Sequence, residues 1–394
     1  MYSQSFSPYN LYACAKQGER RNSGLNKDDF VQAVESHIGN TINEGTYKFK
    51  IKVLYDLYLN NLPNGSIDSL CQDLVLRKLY NNIKRIYGVK QSNRNQIVKQ
   101  MISLLNEGVP KWVIRLDIKH FYESIDRKRQ MERFIEDGRL NFQSIYLLKS
   151  LFEEPVIASM NGLPRGLSIS SAISELYMKY FDLDVRRQDG VYFYARFVDD
   201  IIVFCNSQKS QEDVWDKIPG MLGNIGLKLN ESKSYKWNDK QNAIKLSYLG
   251  YSFIPKEERD IKVTIADKKV NMIKTRITKS FVRFANDGDF DMLKDRIKFL
   301  TGNFTLSAPS TLLPIKVGIY FNYQYITDKS VLYVLDKYYQ KILHCKTGKL
   351  GRKLSMTDDQ RVKLAKYSFV FGFENHVNHY FSSVKLIKIT NCWK

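Results

Sequence analysis

The chain has 394 residues, with 61 Lys and Arg against 41 Asp and Glu, a net charge of +20 and a hydrophobic share of 43%. That length and share allow two or three subdomains with a sizeable core and exclude long disorder, while the surplus charge points to a polyanionic partner, nucleic acid before membrane. No apolar run approaches the ~20 residues of a bilayer span, the start Met1-Tyr2-Ser3-Gln4-Ser5 has no basic-then-apolar leader pattern, and five scattered cysteines form neither a zinc signature nor a disulfide framework, so a soluble protein of the reducing cytoplasm is expected.

Residues 1–62 read as an N-terminal extension, with a helix from about Lys27 to Ile38 capped near Asn26. Leu62-Pro63-Asn64-Gly65 is a turn and a boundary. Leu70, Leu74 and Leu79 recur at near-helical spacing over 68–80, and Ile83 to Lys90 reads as a short extended piece. Ser92 or Asn93 caps a helix on which Ile97, Met101 and Leu105 share one face, ended by Gly108 and Pro110. Lys90 and Arg94 stand at its start.

Trp112 to Ile118 alternates as a strand, with Ile114, Leu116 and Ile118 toward the core and Val113, Arg115 and Asp117 on the other face. A helical, polar stretch (127–152) precedes Gly162-Leu163-Pro164-Arg165-Gly166-Leu167-Ser168-Ile169-Ser170-Ser171, a loop that runs straight into a helix. Two glycines around Pro-Arg let backbone approach a ligand, and the helix start aims N–H groups at an anion or base.

Phe197-Val198-Asp199-Asp200 lies between two β-branched and aromatic flanks, Val191–Arg196 and Ile201–Phe204, which read as a hairpin. Adjacent carboxylates in a turn without Gly or Asn repel each other unless a cation sits on them. Paired carboxylates on a rigid hairpin suit a divalent metal if a third carboxylate arrives from elsewhere. Asn230-Glu231-Ser232-Lys233 and a hairpin-like Leu246–Phe253 follow. Residues 256–394 turn mostly helical and hold 26 of the basic and 13 of the acidic residues, +13 of the +20. Within them, Ile319 to Tyr325 is Tyr-rich and reads equally as helical core or nucleic-acid track, and His376 and His379 read as ordinary surface or core histidines.

Asp117, the Gly162–Glu175 loop and helix, the Asp199-Asp200 hairpin, Asn230–Lys233 and Leu249-Gly250-Tyr251, in this order, resemble the palm of a reverse transcriptase over roughly residues 90–255. Departures from the commonest pattern are Arg165, Ser171, Glu175 and Phe197. The phrases Gly-Leu-Pro-x-Gly-Leu-Ser-Ile-Ser-Ser and Phe-Tyr-Glu-Ser-Ile are most similar to bacterial defence-associated and abortive-infection reverse transcriptases, the smaller enzyme of type 3 defence-associated systems among them.

The resemblance implies an α+β right-hand polymerase. Its fingers would be short (63–111), its palm would carry an antiparallel sheet and finger helices (112–255), and its thumb and C-terminal region would be basic and α-helical (256–394). It implies RNA-directed DNA synthesis in antiviral defence, with dNTPs as substrates, a non-coding RNA as template, cDNA as product, and a second reverse transcriptase chain or homo-oligomer as further partners. Asp117, Asp199, Asp200 and the Ile118 carbonyl would hold two Mg²⁺, with Mn²⁺ as an alternative, and of the adjacent pair Asp199 is the firmer ligand. Lys233 would neutralise or protonate pyrophosphate, while Lys90, Arg94, Arg165 and Gly166 would contact the nucleotide. Phe121 and Tyr122, which follow Asp117, would also bind the nucleotide, and the Tyr122 ring would leave no room for a 2′-hydroxyl. Gly162, Ser170, Leu249, Gly250 and Tyr251 would meet primer and template. The competing readings are a catalytically silent RNA-binding scaffold with a polymerase fold and a template-independent nucleotidyltransferase.

Overall fold

A computed structural model describes residues 2–54, 57–63, 65–238, 245–255, 261–306 and 315–393. They form two compact units: Met1–Arg94 with Lys111–Asn238, and Asn95–Pro110 with Asp239–Lys394. The turn expected at Leu62–Gly65 includes Asn64, and the boundary expected at 255/256 falls against 256–260; both lie partly outside the described residues.

In the first unit, β1 (Ile51–Leu54) and β2 (Leu57–Asn60) pair as an antiparallel hairpin. The helix Ile67–Ile86 follows, with Ser66 accepting from the Ser69 N–H at its N-cap. This helix overruns the extended piece expected at Ile83–Lys90. Ile83 lies one turn after Leu79, both side chains are fully buried, and burial on that face carries the helix three residues further. Lys84 and Arg85 then sit in the last turn, where cations complement the helix dipole.

Four strands make the central sheet: β3 (Trp112–Asp117), β4 (Val191–Phe197), β5 (Asp200–Cys205) and β6 (Tyr235–Asn238). Their order is β4-β5-β3-β6, antiparallel throughout. Ile114, Leu116, Ile201 and Val203 form one core with Ala172, Ile173 and Leu176 of the helix Ser168–Arg186 and with Val214 and Ile218 of the helix Gln208–Asn224. The other face is not bare, because Val113, Ile202 and Phe204 are also fully buried and Phe204 meets the rings of Tyr192 and Phe193 edge-on. Arg115 and Asp117 share this second face.

In the second unit, β7 (Leu246–Tyr248), β8 (Tyr251–Pro255) and β9 (Ile261–Ile265) form a meander, so the hairpin-like Leu246–Phe253 is a hairpin. Helices Asp267–Asp287, Phe290–Thr301 and Ser330–Leu343 follow. The region is less purely helical than expected: β10 (Asn303–Leu306) and β11 (Ile315–Gly318) pair here, and β12 (Asn378–His379) joins β10 in parallel. The Tyr-rich run is packing rather than an open track. Tyr323 is buried against Tyr251, and Tyr320 lies on Phe373 and His376. All five cysteines are free, and no helix of the described residues is long and apolar enough to cross a membrane.

Candidate active site

The strand register sets the backbones of the acidic residues side by side. Asp117 ends β3 and Asp200 begins β5, and the two are direct partners across the antiparallel ladder, which sets their Cα atoms roughly 5 Å apart. Phe197 pairs with Asp200, so Val198 and Asp199 alone make the turn. A two-residue hairpin turn calls for positive φ, which glycine or asparagine adopts most readily; here Val198 takes φ 61°. A β-branched residue in that region is strained, and such strain collects at functional sites.

A second segment wraps Asp117. The Asn230 N–H donates to the Asp117 carbonyl (2.8 Å) and the Lys119 N–H to the Lys228 carbonyl (2.9 Å), while Ile118 bridges to Leu229. The Asp117 N–H donates to Ser234 Oγ at 3.0 Å. On the side chain, Asn230 Nδ2 donates to Oδ1 at 2.7 Å, and Lys233 Nζ lies 3.2 Å from the same oxygen. Asp117 is 5% exposed. Asp200 is met by Arg115 Nη2 at 3.2 Å, a diagonal contact, since Arg115 faces Ile202 two residues further along β5. Burial, then the charges of Asp200 and Asp117, push the Asp199 carboxyl above its ordinary range. Burial also raises Asp200, against the pull of Arg115.

Carboxylate oxygens are the donors that Mg²⁺ prefers, and Asp117 and Asp200 face each other across the ladder with Asp199 in the adjoining turn, so the donor chemistry fits a divalent cation. The side chains are not gathered around one: among the described residues no group of three His, Cys, Asp or Glu stands at metal-holding distance. Lys233 and Arg115 engage two of the three carboxylates instead.

Tyr122 lies in the short helix Phe121–Ser124, which His120 opens at φ 47°. Burial raises its hydroxyl pKa, and the nearby charges of Glu175 and Asp199 add to the rise. Leu163 N–H donates to the Tyr122 carbonyl at 2.8 Å. Gly162 takes φ 72°, and a Cβ there would overlap that carbonyl and the backbone of Glu123, so this position requires glycine. Arg165 forms a two-pronged pair with Glu123 (2.7 and 3.1 Å), and its carbonyl accepts from the Tyr58 N–H of β2 (2.7 Å). Gly166, at φ 97°, closes against Tyr58. Ser170 turns inward, 2% exposed, and donates to the Pro164 carbonyl at 2.6 Å, which makes it a loop brace rather than an open contact. Gln91 donates to Ser171 at 2.8 Å, which ties the exposed Lys90 segment to the loop; Arg94 opens the helix Arg94–Leu105 and is half-buried.

Asp117, Asp199, Asp200, Lys233, Tyr122 and Arg165 therefore share one unit. Leu249 and Gly250, both at positive φ, form the β7–β8 turn of the other unit, and Leu249 and Tyr251 are buried there. Sequence reading missed the contacts of Asn230, Arg115 and Ser234. Asn230 lay within the Asn230–Lys233 stretch and Arg115 two residues before Asp117 on the same strand face, but neither gave a sign of its partner.

The family described as "Reverse transcriptase (RNA-dependent DNA polymerase)" matches residues 70–253. The chain is 30% identical over 149 residues to the Retron Se72 reverse transcriptase of Salmonella heidelberg (strain 579083-10), across 35% of this chain and 36% of that protein. It thus matches about a third of that relative's length. Telomerase from Candida albicans, solved with a fragment of telomeric RNA, aligns at TM-score 0.38 and 12% identity over 81% of this chain and 62% of that one. Apo telomerase from Candida tropicalis aligns at 0.39 and 13%, over 81% and 55%.

Proposed function

We propose, from the match of residues 70–253 to the reverse transcriptase family, that the protein is an RNA-directed DNA polymerase acting in bacterial antiviral defence. Its template is an associated non-coding RNA and its product a cDNA. The observation that carries the reading is the facing of Asp117 and Asp200 across β3 and β5, with Asp199 in the adjoining turn. The 30% identity to a retron reverse transcriptase and the phrase Gly162–Ser171 support the defence assignment.

Asp117, Asp199 and Asp200, with the Ile118 carbonyl, would hold two divalent cations, Mg²⁺ or Mn²⁺. Such ions, when bound, neutralise phosphate charge and activate the attacking hydroxyl. A bond forms from the primer 3′-oxygen to the α-phosphorus of a dNTP, the α–β bridging P–O bond breaks, and pyrophosphate leaves. Lys233, half-exposed on Asp117, exchanges that carboxylate for the departing pyrophosphate and donates a proton to it. The Tyr122 ring, whose backbone carbonyl the Gly162 loop holds through the Leu163 N–H, excludes a ribose 2′-hydroxyl. Lys90, Arg94 and Arg165 receive the triphosphate, and the basic residues of 256–394 track the nucleic-acid backbone.

The test is dNTP incorporation in Mg²⁺ by protein purified with its cellular RNA, with D199N/D200N as control. Incorporation by the wild type alone supports the reading, and sequencing the product names the template. Equal incorporation by both proteins sinks the site; none by either favours the scaffold.

A further inference from the structure

Arg196 stands two residues before the Val198–Asp199 turn, 4% exposed, with every side-chain nitrogen hydrogen-bonded. Nε donates to Asp182 Oδ1 (2.8 Å), and Nη2 donates to Asp182 Oδ2 (2.9 Å) and to Glu175 Oε2 (2.7 Å). Nη1 donates to Glu175 Oε1 (3.3 Å) and to the Val198 carbonyl (3.0 Å). Asp182 also accepts from the Tyr194 hydroxyl at 2.6 Å. Glu175 and Asp182 lie seven residues apart, on one face of the helix Ser168–Arg186. Burial disfavours the Arg196 cation, yet its hydrogen bonds and the two carboxylate charges more than offset this and raise its pKa.

If helix and sheet needed only adhesion, apolar side chains would serve as well, because a buried charge cluster seldom adds stability over a packed apolar one. The cluster instead supplies a directed donor to one carbonyl. That carbonyl belongs to the residue whose φ of 61° suits glycine and not valine, so the conformation has to be held from outside. We infer that Arg196 is the positioning residue of the active-site turn: anchored to the helix by Glu175 and Asp182, it grips the Val198 carbonyl and sets the Val198–Asp199 peptide, and with it the direction of the Asp199 carboxylate. The inference rests on the polymerase reading for its catalytic consequence, but not for its geometry.

The test compares wild type, Arg196→Lys, Val198→Gly and the double variant as full chains. Lysine keeps the charge but cannot span both carboxylates and the carbonyl. Expected for Arg196→Lys are a melting temperature within a few degrees of wild type, a dNTP KM within about twofold and a kcat lower by about tenfold or more. Mn²⁺ binding, followed by electron paramagnetic resonance without nucleotide, should weaken. Adding Val198→Gly, which favours the left-handed conformation unaided, should recover kcat and Mn²⁺ binding toward those of Val198→Gly alone. Wild-type kcat and Mn²⁺ affinity in Arg196→Lys would overturn the inference, as would a loss that tracks melting temperature and that glycine fails to recover. Should wild type incorporate no dNTP, the polymerase reading falls, and the Mn²⁺ titrations still decide the positioning role. Should Arg196→Lys not fold, the uncharged R196M/E175Q/D182N variant takes its place with the same readouts.

Discussion

Lys233 Nζ lies 3.2 Å from Asp117 Oδ1, the oxygen that also accepts from Asn230 at 2.7 Å. Both donors come from a segment more than a hundred residues downstream, which the Ile118–Leu229 bridge lays beside the end of β3. On the proposed mechanism the lysine is thus parked on a carboxylate that the reaction needs free. Lys233→Ala is expected to lower single-turnover incorporation by about 10²-fold or more, the range of a lost proton donor. Its stability should change by no more than about 1 kcal/mol, because the Lys233 side chain is half-exposed and the buried Asp117 keeps its hydrogen bond from Asn230. Unchanged incorporation in a rapid-quench measurement would restrict Lys233 to the resting site.

Asp199 and Asp200 have raised carboxyl pKa values, first through burial and then through Asp117 and, for Asp199, its neighbour Asp200. A folded-state pKa above the unfolded value means that the ionised group opposes folding at neutral pH, and that this penalty disappears as pH falls through the raised value. Metal-free D199N/D200N should therefore melt above metal-free wild type at neutral pH. The gap should close on acidification and be gone below the ordinary aspartate value of 3.8. Mg²⁺ should raise the melting temperature of wild type and leave D199N/D200N unmoved. Calorimetry over a pH series, with and without Mg²⁺, checks both signs.

Tyr122 is braced by the Leu163 N–H to its own carbonyl and faces the charges of Asp199 and Glu175. Truncation to Tyr122→Ala should open space for a 2′-hydroxyl and raise ribonucleotide use relative to deoxynucleotide by roughly 10²-fold. Paired kcat/KM values for one dNTP and its rNTP measure the shift, and an unchanged ratio would remove the ring from sugar selection.

Gly162 is the backbone counterpart of that ring. An alanine there would meet the Tyr122 carbonyl and the Glu123 backbone at a φ of 72°, so Gly162→Ala should cost about 2 kcal/mol or more and should loosen sugar discrimination by moving Tyr122. Urea denaturation and the same substrate ratio report the two effects separately. Gly24, also at positive φ but with open space around it, is the comparison site at which alanine should cost less and leave discrimination alone.

Much of this site was legible in the chain alone. Asp199 and Asp200 stood out because a hairpin turn is a local pattern, readable in a window of about ten residues, whereas Asp117 ends an ordinary strand and gained weight only from the ordered motifs that resemble the palm. The loop from Gly162 was legible for the same reason, since glycine and proline act on their own backbone. Ile83 was misjudged because a short apolar stretch has no period of its own; the buried face it shares with Leu79 made it helix. The Tyr-rich run stayed undecided until Tyr323 was found packed on Tyr251.

What the sequence by itself determined is the inventory: which carboxylates, which turn, which loop, and a basic C-terminal third. The tertiary structure decided how that inventory is held. Asn230 and Lys233 on Asp117, Arg115 on Asp200, and Arg196 gripping the Val198 carbonyl depend on strand register and on a helix laid across the sheet. Register is set by the packing of whole faces rather than by neighbouring residues, so partners as far apart as Asp117 and Asn230 meet only when the sheet closes.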